Sequence, residues 1–289
     1  MGGARAVTRA TSGHRLTGSV LVAPAKLTVS LKVVARRVDG YHDIDAEMVT
    51  LDLFDRLVVD PARSGVEVVA VPGARAEALT CGPDNLVPRA LAAAGRTAWV
   101  RVHKHIPVGG GLGGGSADAA AILRWAGVAD LSVAAALGGD VPFCTIGGHA
   151  RVQGIGERVT PLAYEHREFV LLVPPFGVDT AAAYRRWDAL AAEGGGRICE
   201  SGEANSLTQA ALAVEPRLAA WRDLLGERTG KTPVLAGSGS TWFVEGSAEA
   251  LGVGNREVLA CGREQGRLIP VRTVPAGWTG PGSDGAPED

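Results

Sequence analysis

From Ser19 to Val34 the chain is β-branched and apolar, which predicts paired strands broken near Pro24. Arg36-Arg37-Val38-Asp39-Gly40 reads as a turn. Alternation predicts strands over Met48–Val59 and Val66–Val71, and helical spacing follows over Asn85–Ala94. A strand over Thr97–His105 leads into Pro107, a glycine run and an Ala-rich helix over about Ser116–Trp125. A short helix over Ser132–Leu137 and strands over His149–Val152 and Phe169–Val173 come next. The helix predicted over Thr180–Ala192 should stop at Glu193, since Gly194-Gly195-Gly196 follow. Beyond lie a helix (Pro216–Leu225), two strands (Thr232–Ala236 and Ser240–Glu245), a helix (Ala248–Cys261) and a last strand (Leu268–Val274). That order suggests a smaller α+β lobe. Residues 1–17 and 275–289 read as loose tails, the second rich in Gly, Pro and acid.

With 289 residues, the chain is comfortable as two packed lobes, here divided as 18–165 and 166–274. Hydrophobic residues at 46% and charged residues at 21% allow a sizeable core. A formal net charge of −2 suggests no nucleic-acid or membrane field, so a small-molecule substrate or a protein partner fits better; a monomer or weak homodimer is expected. Cys81, Cys144, Cys199 and Cys261 lie far apart with no CxxC pair, so free thiols in a reducing cytoplasm are expected. No signal-peptide core or transmembrane run appears.

The 40 glycines cluster, and the strongest cluster is Pro107-Val108-Gly109-Gly110-Gly111-Leu112-Gly113-Gly114-Gly115-Ser116-Ala117-Asp118. Between a strand and a helix, such a run lets backbone N–H groups converge on a phosphate at the helix N-terminus. Ser116 can cap the helix, or reach a phosphate or a magnesium ion. A flexible linker is the plain alternative, but linkers seldom join a strand to a strong helix former with a Leu inside. The run also satisfies G-x-G-x-x-G, yet it does not follow the first strand of a βαβ unit, and Asp140 does not end a strand as a ribose-binding acid should. Gly226-Glu227-Arg228-Thr229-Gly230-Lys231-Thr232 is one residue short of a P-loop and follows a helix, so it reads as a turn.

Three further segments, Ala23-Pro24-Ala25-Lys26-Leu27, Gly138-Gly139-Asp140-Val141-Pro142-Phe143 and Leu235-Ala236-Gly237-Ser238-Gly239-Ser240-Thr241, stand in order around the glycine run. Together they resemble the motifs of the GHMP kinases. Within that superfamily, Arg37-Val38-Asp39-Gly40-Tyr41-His42 resembles the R-x-D-G-Y-H signature of the 4-diphosphocytidyl-2-C-methyl-D-erythritol kinases, and the likeness runs from about Val20 to Val274. The fold this implies is α+β and two-lobed: a ribosomal protein S5 domain 2-like N-lobe and a ferredoxin-like C-lobe with the site between them. The implied activity is ATP-dependent phosphorylation of the 2-hydroxyl of a cytidine-diphosphate substrate in the non-mevalonate isoprenoid route, with Mg2+ beside ATP.

The resemblance implies a role for each matched residue. Asp140 is the base or orienting group for the acceptor hydroxyl, with Lys26 beside it. The loop from Gly109 to Ser116, with Pro107 and Leu112, holds the ATP phosphates, and Asn85 and Lys104 lie near adenine and loop. Tyr41 and His42 recognise cytosine, with Tyr184 on the other side of the base; Thr28, Thr180, Gly237 and Ser238 complete the substrate side. Taken alone, the residues allow plainer roles: a turn or cap for Asp140, solvated lysines for Lys26 and Lys104, a helix cap for Asn85, a surface Tyr41 and a core-facing Tyr184. His103 and His105 read as strand-face residues, since no metal-ligand set completes them.

The sequence departs from the family pattern at Thr28, where Asn is usual, and at Asn205-Ser206-Leu207, where Asn-Asp-Leu is usual. The stretch before Asp140 is also short. These leave open a GHMP kinase for another alcohol, such as homoserine or a sugar, or a silent nucleotide-binding paralogue; a dinucleotide oxidoreductase is a distant third.

Overall fold

A computed structural model describes residues 18–70, 85–193, 203–254 and 257–282. The chain forms two mixed lobes, each a sheet covered by helices. Cys81 and Cys199 and the glycine loop after Glu193 lie outside the described residues.

The first sheet is built on a long hairpin, β1 (Ser19–Arg36) and β2 (His42–Asp60). Pro24 does not break β1 as expected. The strand runs through it, and the ladder instead slips in bulges between Pro24 and Lys26, between Thr28 and Ser30, and between Val33 and Ala35. A bulge absorbs a proline that cannot donate, and it re-aims the side chains beside it. Two of these bulges bracket Lys26 and Thr28. On its other edge β2 pairs with β4 (Trp99–Lys104) near one end and β5 (His149–Gly154) near the other; β3 (Gly65–Ala70) extends the sheet from β4 and β6 (Arg158–Pro161) from β5. α1 (Leu86–Ala93), α2 (Gly114–Ala126), α3 (Leu131–Leu137) and α4 (Val141–Ile146) belong to this lobe. α2 is buried from Ala117 to Leu123, and its small alanines let it lie close against β1.

The second sheet is antiparallel, ordered β10 (Val258–Cys261), β11 (Glu264–Arg272), β7 (Glu168–Val173), β9 (Trp242–Glu245), β8 (Val234–Leu235). α5 (Thr180–Glu193), α6 (Thr208–Val214) and α7 (Leu218–Thr229) accompany it. Trp221 and Trp242 are fully buried in its core. The P-loop-like stretch is the end of α7: Gly230 adopts φ +67 as its C-terminal cap, and Lys231 is exposed.

Two expectations are corrected. The helix over Ala248–Cys261 is a single turn closed by Leu251 N–H donating to Ser247, then strand β10. Gly252 at φ +63 and Gly254 end the turn despite the Ala and Glu around it. The C-terminal stretch is not loose throughout: Trp278 is buried and meets Phe54 edge-on at 5.3 Å. Sequence reasoning also missed α4, β6 and α6. Among the described residues no helix is long and apolar enough to cross a membrane.

Candidate active site

Gly109, Gly111 and Gly113 take φ of +73, +77 and +70 in alternation, a backbone pattern that turns successive N–H groups toward one point. Two of these positions tolerate no side chain. A Cβ on Gly111 would lie 2.3 Å from the Ala236 carbonyl oxygen, and one on Gly113 would lie 2.7 Å from Lys26 Cγ. The loop therefore packs on the Gly-Ser turn of the second lobe and on the lysine of β1. Thr241 N–H donates to Gly110 O at 3.3 Å and Lys26 N–H to Leu112 O at 3.1 Å. Gly113 is the N-cap of α2 and supplies no side-chain cap, so the helix's leading N–H groups are left for an anion. Ser116 does not cap the helix; it sits in its first turn and lines a cleft together with Lys26 and Asp140.

The loop separates two cavities. On one side a space of about 200 Å³ is lined by the run from Pro107 to Gly115 with Asn85, Lys104 and Asp118. On the other, a cleft of about 700 Å³ holds Lys26, Thr28, Tyr41, His42, Ser116, Asp140, Thr180, Tyr184, Gly237 and Ser238. Gly111 and Gly113 line both. The predicted site residues thus fall into two groups that meet at the loop.

Lys26 is 4% exposed. Its Nζ donates to Thr28 Oγ1 at 3.1 Å and stands 3.4 Å from Asp140 Oδ2. Thr28 thus supplies a hydroxyl where the family pattern has an amide. Asp140 occupies the N-cap position of α4, but its side chain makes no capping bond. Its carboxyl is 37% exposed in the cleft instead. Gly139 lets the chain reach this point, since a Cβ there would meet the Ile155 carbonyl oxygen at 2.6 Å.

Lys104 is not solvated. It is buried, its Nζ bridging Asp55 Oδ2 and, at 2.8 Å, Asp118 Oδ2. Asp55 Oδ1 accepts from the N–H groups of His105 (2.5 Å) and Ile106 (2.9 Å), which lead into the glycine loop. With two carboxyls to one ammonium, burial pushes the Asp118 carboxyl up to about 7 against the pull of Lys104. Asp118 Oδ1 has no hydrogen-bond partner among the described residues. Asn85 caps α1, its Oδ1 accepting Val87 N–H at 2.9 Å, and it also lines the smaller cavity beside the glycine loop.

At the far end of the larger cleft, His42 Nε2–H donates to Asp188 Oδ1 at 2.7 Å. The His42 ring lies on Tyr184 (centroids 4.7 Å apart, planes at 29°) and edge-on to Trp187 at 5.8 Å. His42 and Tyr184 are in direct stacking contact. Tyr41, 61% exposed, faces the same cleft. Burial raises the Tyr184 phenol to about 12, with the Asp140 charge adding to the shift. Thr180 Oγ1 and Ser238 Oγ share a hydrogen bond of 2.8 Å that ties α5 to the Gly-Ser turn.

Sequence reasoning missed Asp188, Asp55 and the role of Asn205. Asp188 was signalled weakly, being four residues beyond Tyr184 on one helix face. Asn205 is buried and holds the Gly-Ser turn from beneath: Nδ2 donates to the carbonyls of Leu235 (2.8 Å) and Gly237 (2.6 Å), and Oδ1 accepts Leu207 N–H (2.8 Å). The Ser206 departure leaves these bonds intact.

Residues 84–148 match the family model described as the GHMP kinases N terminal domain. A 4-diphosphocytidyl-2-C-methyl-D-erythritol kinase of Paracoccus denitrificans is 38% identical over 240 residues, covering 76% of this chain and 84% of that protein. One from Pelotomaculum thermopropionicum is 38% identical over 257 residues, 77% of this chain and 87% of its own. A crystal structure of 4-(cytidine 5'-diphospho)-2C-methyl-D-erythritol kinase superposes with a TM-score of 0.61 at 32% identity, covering 87% of this chain and 99% of the other. With the loop, the lysine–aspartate pair and the two lobes in the arrangement that the motifs implied, the chain belongs to the 4-diphosphocytidyl-2-C-methyl-D-erythritol kinase family of GHMP kinases.

Proposed function

We propose that this chain transfers the γ-phosphoryl group of ATP to the 2-hydroxyl of 4-diphosphocytidyl-2-C-methyl-D-erythritol, in the cytoplasm and in the service of isoprenoid synthesis. The observation that carries the reading is the glycine loop shared by two cavities, with Lys26 and Asp140 paired at 3.4 Å on the acceptor side. Phosphoryl transfer asks a protein mainly for positioning and charge stabilisation. ATP enters on the side of Asn85 and Lys104 with its phosphates on the loop amides. The acceptor hydroxyl lies at Asp140, whose carboxylate orients it and takes its proton. The Lys26 ammonium keeps that carboxylate in place and offsets charge on the phosphoryl group in flight.

Cytidine recognition falls to the far end of the cleft. Because a carboxylate only accepts, the His42 proton is on Nε2, facing Asp188. Nδ1 is then an acceptor for the 4-amino group of cytosine, while Tyr41 offers an aromatic face. Magnesium accompanies ATP in such transfers and screens the phosphate charge. Among the described residues no three His, Cys, Asp or Glu side chains cluster to bind a metal. The Asp140 carboxylate and Ser116 hydroxyl, both lining the cleft, fit an ion held chiefly by phosphate oxygens.

The test is ADP release by the purified chain with and without 4-diphosphocytidyl-2-C-methyl-D-erythritol. Substrate-dependent release that falls roughly 100- to 10,000-fold in Asp140→Asn, with ATP affinity preserved, supports the assignment. ATP binding without release, or equal release with homoserine or a sugar, overturns it.

A further inference from the structure

We propose a second ligand site, for a small apolar molecule bearing an anionic head, in a cavity of about 370 Å³ that shares no lining residue with the acceptor cleft. The volume lies within the range of small-molecule pockets. Its floor comes from β1, α2 and α4, and its lid is the C-terminal strap around Trp278. The strap is anchored by Val274 N–H donating to Thr50 O at 2.9 Å and by Trp278 against Phe54.

The lining states what the cavity would take. Leu21, Trp125, Phe143, Ile146 and Trp278 make an apolar wall. Among the described residues no carboxylate lines it. Arg124 does; its side chain is exposed along one side, and among the described residues its guanidinium has no ion-pair partner. The Trp278 indole N–H is buried without an acceptor among the described residues. The hydroxyls at the rim are already engaged: Thr145 donates to Val141 O, and Thr50 accepts Gly148 N–H. An apolar cavity whose charged group is a guanidinium bound only to backbone carbonyls, with no acid among the described residues to compete, suits a phosphate or carboxylate on a hydrocarbon body.

Occupancy would reach the chemistry through Arg124 itself. Its Nη1 donates to Cys144 O and its Nη2 to Val22 O at 3.3 Å. Val22 lies four residues before Lys26 on β1, and Cys144 lies one helical turn after Asp140, with Cys144 N–H donating to Asp140 O at 3.0 Å. One side chain therefore ties together the two elements that carry the catalytic pair. An anion that draws the guanidinium into the cavity frees both carbonyls and loosens the alignment of Lys26 with Asp140, so the ligand slows turnover without occupying either substrate's place.

The test uses the full chain and n-hexyl phosphate as probe, with hexanol and inorganic phosphate as controls. Calorimetry should show binding of hexyl phosphate that neither control matches, and Arg124→Gln should weaken it by at least about tenfold. Turnover should fall as the probe saturates, with the KM for ATP and for the alcohol unchanged. Val20→Trp, an exposed strand position at the cavity rim, should turn over normally and lose the response. Absence of binding, equal affinity in Arg124→Gln, or inhibition competitive with either substrate would overturn the site. The turnover arm rests on the function proposed above; the calorimetric arm does not, so failure of one is distinguishable from failure of the other.

Discussion

His42 and Asp188 are 146 residues apart in the chain and 2.7 Å apart in the fold. Arg36 approaches the same carboxylate through Nε at 3.4 Å. Asp188 touches none of the residues at the chemical step, yet it decides which nitrogen of His42 carries the proton. Asp188→Ala frees the ring to take either tautomer and to leave its stack on Tyr184. The expected outcome is a KM for the cytidine substrate raised about tenfold, the worth of one charge-assisted hydrogen bond. The KM for ATP and kcat should stay close to the wild type, and steady-state kinetics with each substrate varied in turn checks the split.

Glycines of one loop differ in what they tolerate. Gly113→Ala places a methyl at 2.7 Å from Lys26 Cγ on a backbone at φ +70, so both the loop and the lysine must shift. Misplacement of a catalytic group by a fraction of an ångström can cost on the order of 100-fold in kcat. Gly115 is already helical, and a Cβ there meets only Leu86 Cδ1 at 3.9 Å. Gly115→Ala should cost far less kcat than Gly113→Ala and raise thermal stability by up to about 1 kcal/mol, the usual gain for alanine in a helix. Equal loss in both variants, measured as ADP release, would count against the packing of loop on lysine.

How far the site could be read from sequence tracks how local its determinants are. The glycine loop, the cap at Asn85 and the turn before Tyr41 are set by residues within a few positions, and all were legible. Lys104 was not. Its burial depends on Asp55, 49 residues away, and an isolated lysine carries no sign of such a partner. α4 hid behind Gly-Gly-Asp-Val-Pro, which reads as a turn, although proline in a first helical turn is well tolerated. The helix expected over Ala248–Cys261 followed composition, and tertiary pairing of β10 with β11 overrode it. Trp278 sat in a stretch rich in Gly and Pro, and only its groove on the first lobe gives it a place.

The buried Asp55–Lys104–Asp118 group should make stability depend on pH with an identifiable sign. Asp118 rises from an ordinary value of 3.8 to about 7, chiefly through burial. Between those values the folded chain holds a proton that the unfolded chain has released. Stability contributed by this group is therefore full below about pH 4 and declines as pH rises toward 7. Asp118→Asn cannot release a proton and lacks that slope. Urea midpoints at pH 5 and pH 8 should show wild type losing ground to Asp118→Asn at the higher pH. A constant difference between the two would mean that Asp118 is ionised throughout.

Asn205 offers a sharper contrast, because its amide uses both ends. Its Nδ2 feeds two carbonyls of the segment that leads into the Gly-Ser turn, and its Oδ1 takes the N–H of Leu207. Asn205→Ala leaves three buried backbone groups unmatched, at a cost of roughly 2–4 kcal/mol. Asn205→Asp keeps the size and the Leu207 bond but sets a carboxylate oxygen against the carbonyls of Leu235 and Gly237. At neutral pH that arrangement is the worse of the two, since like dipoles face a buried charge. Protonation supplies one donor and relieves it, so Asn205→Asp should gain stability on acidification while Asn205→Ala does not. Denaturation midpoints of the two variants at pH 5 and pH 7.5 decide this. Because the Gly-Ser turn packs on Gly111, both variants should also weaken ATP binding, although Asn205 lines neither the nucleotide cavity nor the acceptor cleft.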